Sequence, residues 1–247
     1  HGSNSVKHKV LQWVVSKQRE YDSSYLQEHL ELTDICVLSR CPKTFLQIVQ
    51  NKYPHVFYKE HSKDHYIVIG SNLNFKNPEH ELLPSNDKVW QTNDRNQGSV
   101  LMTVKFNNFR LVTFIAVYEW KYHEYGQGQH GMEISEQEMY QDLSTVFSRI
   151  KHDGHEYTDK NLLLVGDIHE EPVPPPQLAK IIDQANLKDH TEGMITFHDI
   201  DQKPLIMKGK RHDRIFTRGN LDTTNVQSHC KKTDGGAHWI ITYNIIS

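Results

Sequence analysis

Short apolar runs alternate along the chain with segments of helical period. Val10–Val15, within HKVLQWVVSK, reads as a first strand, and a helical stretch follows over Tyr25–Leu32. TDICVLSR (Thr33–Arg40) is a short apolar run bounded by polar residues, the mark of a buried strand. Phe45–Asn51 continues as a helix that stops near Pro54, because proline brings no N–H to the ladder. HYIVIGS (His65–Ser71) predicts the next strand. SVLMTVKF (Ser99–Phe106) and FRLVTFIAVYEW (Phe109–Trp120) predict two more, joined at Asn107-Asn108, a hairpin signal. The clearest helix opens on the capping box Ser135-x-x-Glu138, sets Met139, Leu143, Val146, Phe147 and Ile150 on one face, and ends at Asp153-Gly154. NLLLVGDIHEEP (Asn161–Pro172) is a buried strand that runs into an acidic turn. After Pro174–Pro176 comes a helix over QLAKIIDQANL. HDRIFTRGN (His212–Asn220) and GGAHWIITYNII (Gly235–Ile246) close the chain as strands. Two polar stretches, Asn72–Gln97 and Lys121–Gly131, read as long irregular loops, the usual carriers of function.

Strands interleaved with helices predict a layered α/β or α+β domain. No repeat or linker divides the 247 residues, so one domain over 4–247 is expected, with His-Gly-Ser at 1–3 read as a tag remnant. The 28 basic residues are outnumbered by 31 acidic ones, which excludes a protein-wide cationic field for nucleic acid but not a local basic groove. No run of 18 apolar residues occurs, so no helix is expected to span a membrane. The 3 cysteines lack zinc-ribbon spacing and cannot all pair, which leans towards a reducing, intracellular compartment. A removed secretion signal fits the same sequence. The 17 histidines are scattered, and no H-E-x-x-H occurs among them.

Chemistry is expected at strand ends. Asp167 and His169 alternate on an extended segment, so both side chains can face one site. A carboxylate at a strand end is a common way to hold a hard metal or to orient a water. His212-Asp213-Arg214 precedes another apolar strand, and Ala237-His238-Trp239 a third. Three polar clusters at the ends of apolar strands predict one shared cleft.

The order of these segments resembles the endonuclease/exonuclease/phosphatase superfamily, the DNase I-like fold. LLLVGDIHEEP is similar to its G-D-x-N-x-x-P segment, HDRIFTRG to its D-x-I strand, and GGAHWIITYNI to its terminal S-D-H strand. KVLQWVV, DICVLSR and VKFNNFRLVTFIAVYEW resemble its earlier strands in the same order. The resemblance covers nearly the whole chain and implies a four-layer α-β-β-α sandwich. It also implies metal-assisted attack of water on a phosphoester, with Mg2+ or Mn2+ as cofactor if the chain is active.

Several site positions depart from the family pattern. The resemblance places an Asn at Val14, a metal-binding Glu at Arg40, a His at Tyr118, an Asn at His169 and an Asp at Ala237. Asp167, Asp213 and His238 survive. Arg40 brings a fixed positive charge to where the cation is implied. Without an Asp at 237, His238 is expected to lose the group that orients it. The remnant catalytic set is then Asp167, His169, Asp213 and His238, with Asp167 the ligand of any metal. Arg40, Tyr118 and Arg214 are the residues expected to contact substrate or phosphate. Because the departures fall on site positions while the strands persist, a catalytically impaired domain that binds a protein or a phosphorylated ligand is expected. The alternative is an active phosphodiesterase, nuclease or phosphatase whose site is rebuilt around Mn2+ or Zn2+. Nucleic acid is a possible ligand of either form.

Overall fold

Strands that are apolar along their whole length need cover on both faces. The chain provides it with two six-stranded mixed sheets packed face to face. The computed structural model describes residues 6–15, 22–84, 99–115, 141–150, 157–167, 180, 182–198, 213–230 and 237–247. In chain order these form β1 (Lys7–Val14), α1 (Ser23–Leu30), β2 (Ile35–Pro42), α2 (Lys43–Lys52), β3 (His55–Ser62), β4 (His65–Ser71), β5 (Lys76–Leu82), β6 (Val100–Lys105) and β7 (Arg110–Ile115). Helix α3 follows, with 141–150 described. Then come β8 (Leu162–Asp167), β9 (Lys188–Asp189), β10 (Phe197–His198), β11 (Asp213–Arg218), β12 (Asp222–His229), β13 (Ala237–His238) and β14 (Ile240–Ile246).

One sheet has the order β12-β14-β1-β2-β4-β3 and the other β5-β6-β7-β8-β11-β9. Their inner faces share a core that includes Val10, Ile35, Ile67 and Tyr243 from the first sheet, and Met102, Leu163, Val165 and Ile215 from the second. Helices α1 and α2 cover the outer face of the first sheet through Leu26, Leu30, Phe45 and Val49. Helix α3 covers the outer face of the second through Leu143, Val146, Phe147 and Ile150, the face predicted from its periodicity. The result is an α+β fold in four α-β-β-α layers.

Register decides where the strand ends meet. β1 and β2 run parallel, with Val14 beside Ser39, and β14 runs antiparallel to β1. β7 and β8 also run parallel, while β11 is antiparallel to β8 and sets Asp213 opposite Asp167. The C-terminal ends of β1, β2 and β8 therefore gather with the starts of β11 and β14 at one end of the sandwich.

Two expectations are corrected. Asn72–Gln97 is not irregular throughout, because Lys76–Leu82 pairs with β6 as strand β5. β3 and β12, with no counterpart in the apolar pattern, are full strands of the first sheet. All three lie at sheet edges, most positions of β5 are exposed and no position of β12 is fully buried, so they need no apolar period. The capping box at 135–138, Met139, and the loop at 121–131 lie outside the described residues. Among the described residues no helix is long and apolar enough to cross a membrane.

Candidate functional site

Asp167 ends β8, Asp213 begins β11, and the two are direct partners across the antiparallel ladder. His238 enters from β13, just before β14 returns to the core. Its Nδ1 lies 2.9 Å from Asp213 Oδ2. A carboxylate only accepts, so the Nδ1–H donates and Nε2 is left facing the site. Nε2 lies 3.8 Å from Asp167 Oδ2, within ion-pair range when the imidazole is charged. The three side chains are 4–8% exposed. Two like charges about 4 Å apart repel by roughly 4 kcal/mol at an effective dielectric of 20.

The expected loss of the imidazole's orienting group is therefore corrected. Asp213, not residue 237, holds the ring. A neighbour in sequence was invoked for a task that the fold gives to a neighbour in space.

Residues that carry no motif complete the support. The Trp13 indole N–H donates to the His238 carbonyl at 3.1 Å, tying β1 to the segment that bears the imidazole. Thr196 is fully buried, accepts the Asp213 N–H on Oγ1 at 3.0 Å, and accepts the Trp239 N–H on its carbonyl at 2.7 Å. It thus clamps both flanks of the dyad. Gly166 has a role of its own, because a Cβ there would meet the Phe114 ring at 2.3 Å. An aromatic in a strand reads as core and a threonine in a loop as solvent, so the sequence held no signal for Trp13 or Thr196.

Arg40 sits at the same end of the sandwich, one residue beyond the Val14–Ser39 pair. It is half-buried in a bulge of β2 with φ 51°, a left-handed conformation that costs a non-glycine residue about 1–2 kcal/mol. Its backbone N–H donates to His61 Nε2 at 3.2 Å. Val14 is buried at the position where the resemblance implies an Asn. Arg214 is buried, and its Nη1 lies 3.9 Å from Asp189 Oδ2. Tyr118 and His169 lie outside the described residues.

Asp167, Asp213 and His238 can each offer one ligand atom, all within 4.8 Å of one another. Mg2+ asks for near-octahedral oxygen donors. The set offers two carboxylates, one already engaged by His238, and Arg40 stands where the resemblance implies the principal carboxylate. Among the described residues, this set by itself falls short of the oxygen donors that Mg2+ asks for. Two carboxylates with an imidazole suit Mn2+ or Zn2+ better.

No family model matches the sequence, and no curated protein matches it either. Solved structures do match. The chain is similar to the 3′ phosphatase NExo from Neisseria bound to a product DNA hairpin, at 15% identity and TM-score 0.67, over 96% of this chain and 98% of that one. It is similar to D. rerio TDP2 complexed with a single-strand DNA product, at 17% identity and TM-score 0.62, over 97% and 98%. An endonuclease/exonuclease/phosphatase family protein from Bacteroides thetaiotaomicron matches at 12% identity and TM-score 0.62, over 98% of each chain. At these identities the likeness establishes the fold, which is DNase I-like.

Proposed function

We propose, from the premise that this chain has the DNase I-like phosphoesterase fold, that the domain binds a phosphodiester ligand at the end marked by Asp167, Asp213, His238 and Arg40. It does not hydrolyse that ligand by the metal-assisted route. One observation carries the reading: the bulge near the end of β2 holds Arg40 where the resemblance implies the metal-binding Glu. A guanidinium there repels a divalent cation and attracts a phosphate oxygen through charge-assisted hydrogen bonds. His238, held at Nδ1 by Asp213, keeps its ring fixed at the same end.

A singly charged diester meets less repulsion from the Asp167 and Asp213 carboxylates than a dianionic monoester does. Two of the similar structures hold DNA, a hairpin in one and a single strand in the other, so a nucleic-acid backbone is the first diester to try.

A second reading is favoured by the donor set itself. Asp167, Asp213 and His238 within 4.8 Å suit a rebuilt Mn2+ or Zn2+ site and an active phosphodiesterase. Calorimetric titration with Mg2+, Mn2+ and Zn2+, beside binding and cleavage of a single-stranded oligonucleotide, separates the two. The expected result is no metal uptake, no cleavage, and a fall in oligonucleotide affinity in Arg40→Ala. One lost charge-assisted hydrogen bond predicts roughly a tenfold fall or more. Metal-dependent cleavage abolished by Asp167→Ala would overturn the proposal in favour of the second reading. An oligonucleotide that does not bind at all would turn the search to a protein partner.

A further inference from the structure

Two β-bulges lie at one level of the first sheet. Across β4, the register of β2 jumps from Leu38 opposite Val68 to Cys41 opposite Tyr66, so Ser39 and Arg40 together face the single residue Ile67. On the other side of β4, β3 jumps from Glu60 opposite Tyr66 to Ser62 opposite His65, leaving His61 as its extra residue. The two bulged residues bond to each other across β4: the Arg40 N–H donates to His61 Nε2 at 3.2 Å. A bulge re-aims a side chain and releases a backbone group from the ladder. A released N–H at a buried site needs an acceptor, and a left-handed arginine persists only where its surroundings hold it. His61 meets both needs.

The imidazole is suited to this as an acceptor. His61 is 5% exposed, and accepting at Nε2 puts its own proton on Nδ1, which has no partner among the described residues. Burial, the Arg40 charge and the neighbouring His65 together hold its pKa down to about 3, so the accepting lone pair survives moderate acid.

We infer that His61 is a positioning residue: it locks the β2 bulge and so sets Arg40 for a phosphate oxygen. This rests on the phosphodiester reading of Arg40 given above. It assigns a task to a histidine that lies on an edge strand and belongs to none of the motifs.

The test uses the full chain, labelled with 15N. A scalar coupling between the Arg40 amide nitrogen and His61 Nε2, with His61 in the Nδ1–H tautomer, is the expected signature. Affinity for the single-stranded oligonucleotide is then compared among wild type and three variants. His61→Ala and His61→Asn, whose side chains do not reach across β4, are expected to lose on the order of tenfold in affinity, as for lost support of other ligand-holding residues. His61→Gln, whose Oε1 can stand in for Nε2, is expected to regain most of it. Should His61→Ala fail to fold, the contrast between Asn and Gln carries the comparison. Wild-type affinity in both His61→Ala and His61→Asn, or no coupling, would overturn the inference. If the wild type binds no oligonucleotide, the phosphodiester reading falls. The coupling and the exchange rate of the Arg40 amide, slow in wild type and fast in His61→Asn, then decide separately whether His61 holds residue 40.

Discussion

A histidine kept neutral inside a sheet leaves a mark on stability that a surface histidine does not. His61 has a pKa near 3 in the folded chain, against an ordinary value of 6.5. Between those values the unfolded chain binds the extra proton and the folded one does not. Stability therefore rises with pH through this window and is lost as the pH falls from about 6.5 towards 3, by up to about 1.4 kcal/mol for each pH unit. Urea unfolding at pH 7, 5 and 4 is expected to show this slope in wild type and a shallower one in His61→Gln. Equal slopes would mean that His61 takes up its proton in the folded state. The same scale separates what could be read of the site from what could not. Asp167, Asp213 and His238 stood out because a polar cluster at the end of an apolar strand is visible in one dimension. That Asp213 rather than residue 237 holds the imidazole, and that His61 faces Arg40, depends on pairs 25 and 21 residues apart. No spacing rule reaches those separations.

Elements were legible in proportion to their burial. β1, β2, β4, β6, β7, β8, β11 and β14 are central strands, covered on both faces, and each was visible as an apolar run. β3, β5, β9 and β12 are the edges of the two six-stranded sheets, and none was predicted. An edge strand is held by backbone hydrogen bonds to one neighbour and packs only part of its surface, so its side chains are not forced into a period of two. Within the central strands, individual residues are fixed by what crosses above them. Gly166 of β8 lies under the Phe114 ring of β7, with 2.3 Å left for a Cβ. Gly166→Ala must push that ring or the strand aside, and overpacking of this kind costs about 1–3 kcal/mol. The loss is to be measured by chemical denaturation. Because Asp167 follows directly, the variant is also expected to displace the carboxylate and weaken oligonucleotide binding. Unchanged stability would show that the Phe114 ring yields freely.

Across the whole molecule, the site exists because two sheets are held in one alignment. A buried polar bridge contributes to that alignment near the functional end. Gln12 of β1 accepts the Tyr243 hydroxyl at 2.9 Å and donates through Nε2 to the Arg214 carbonyl of the opposite sheet at 3.4 Å. Tyr243→Phe leaves the Gln12 oxygen without that donor in a buried place, at an expected cost of about 1–2 kcal/mol. A drop in the denaturation midpoint with an unchanged slope is the predicted readout. No change would mean that Gln12 has found another donor.

By itself the sequence determined the central strands, the face that α3 buries and the candidacy of Asp167, Asp213 and His238, while the layer order followed from the resemblance of the segments taken together. The first three are written in local apolar periodicity or in a short motif. Only the tertiary structure decided the edges, the partner of His238, the clamp at Thr196 and the doubled bulge that joins Arg40 to His61. Those depend on which strands lie side by side, and strand pairing is settled by contacts between residues far apart in the chain.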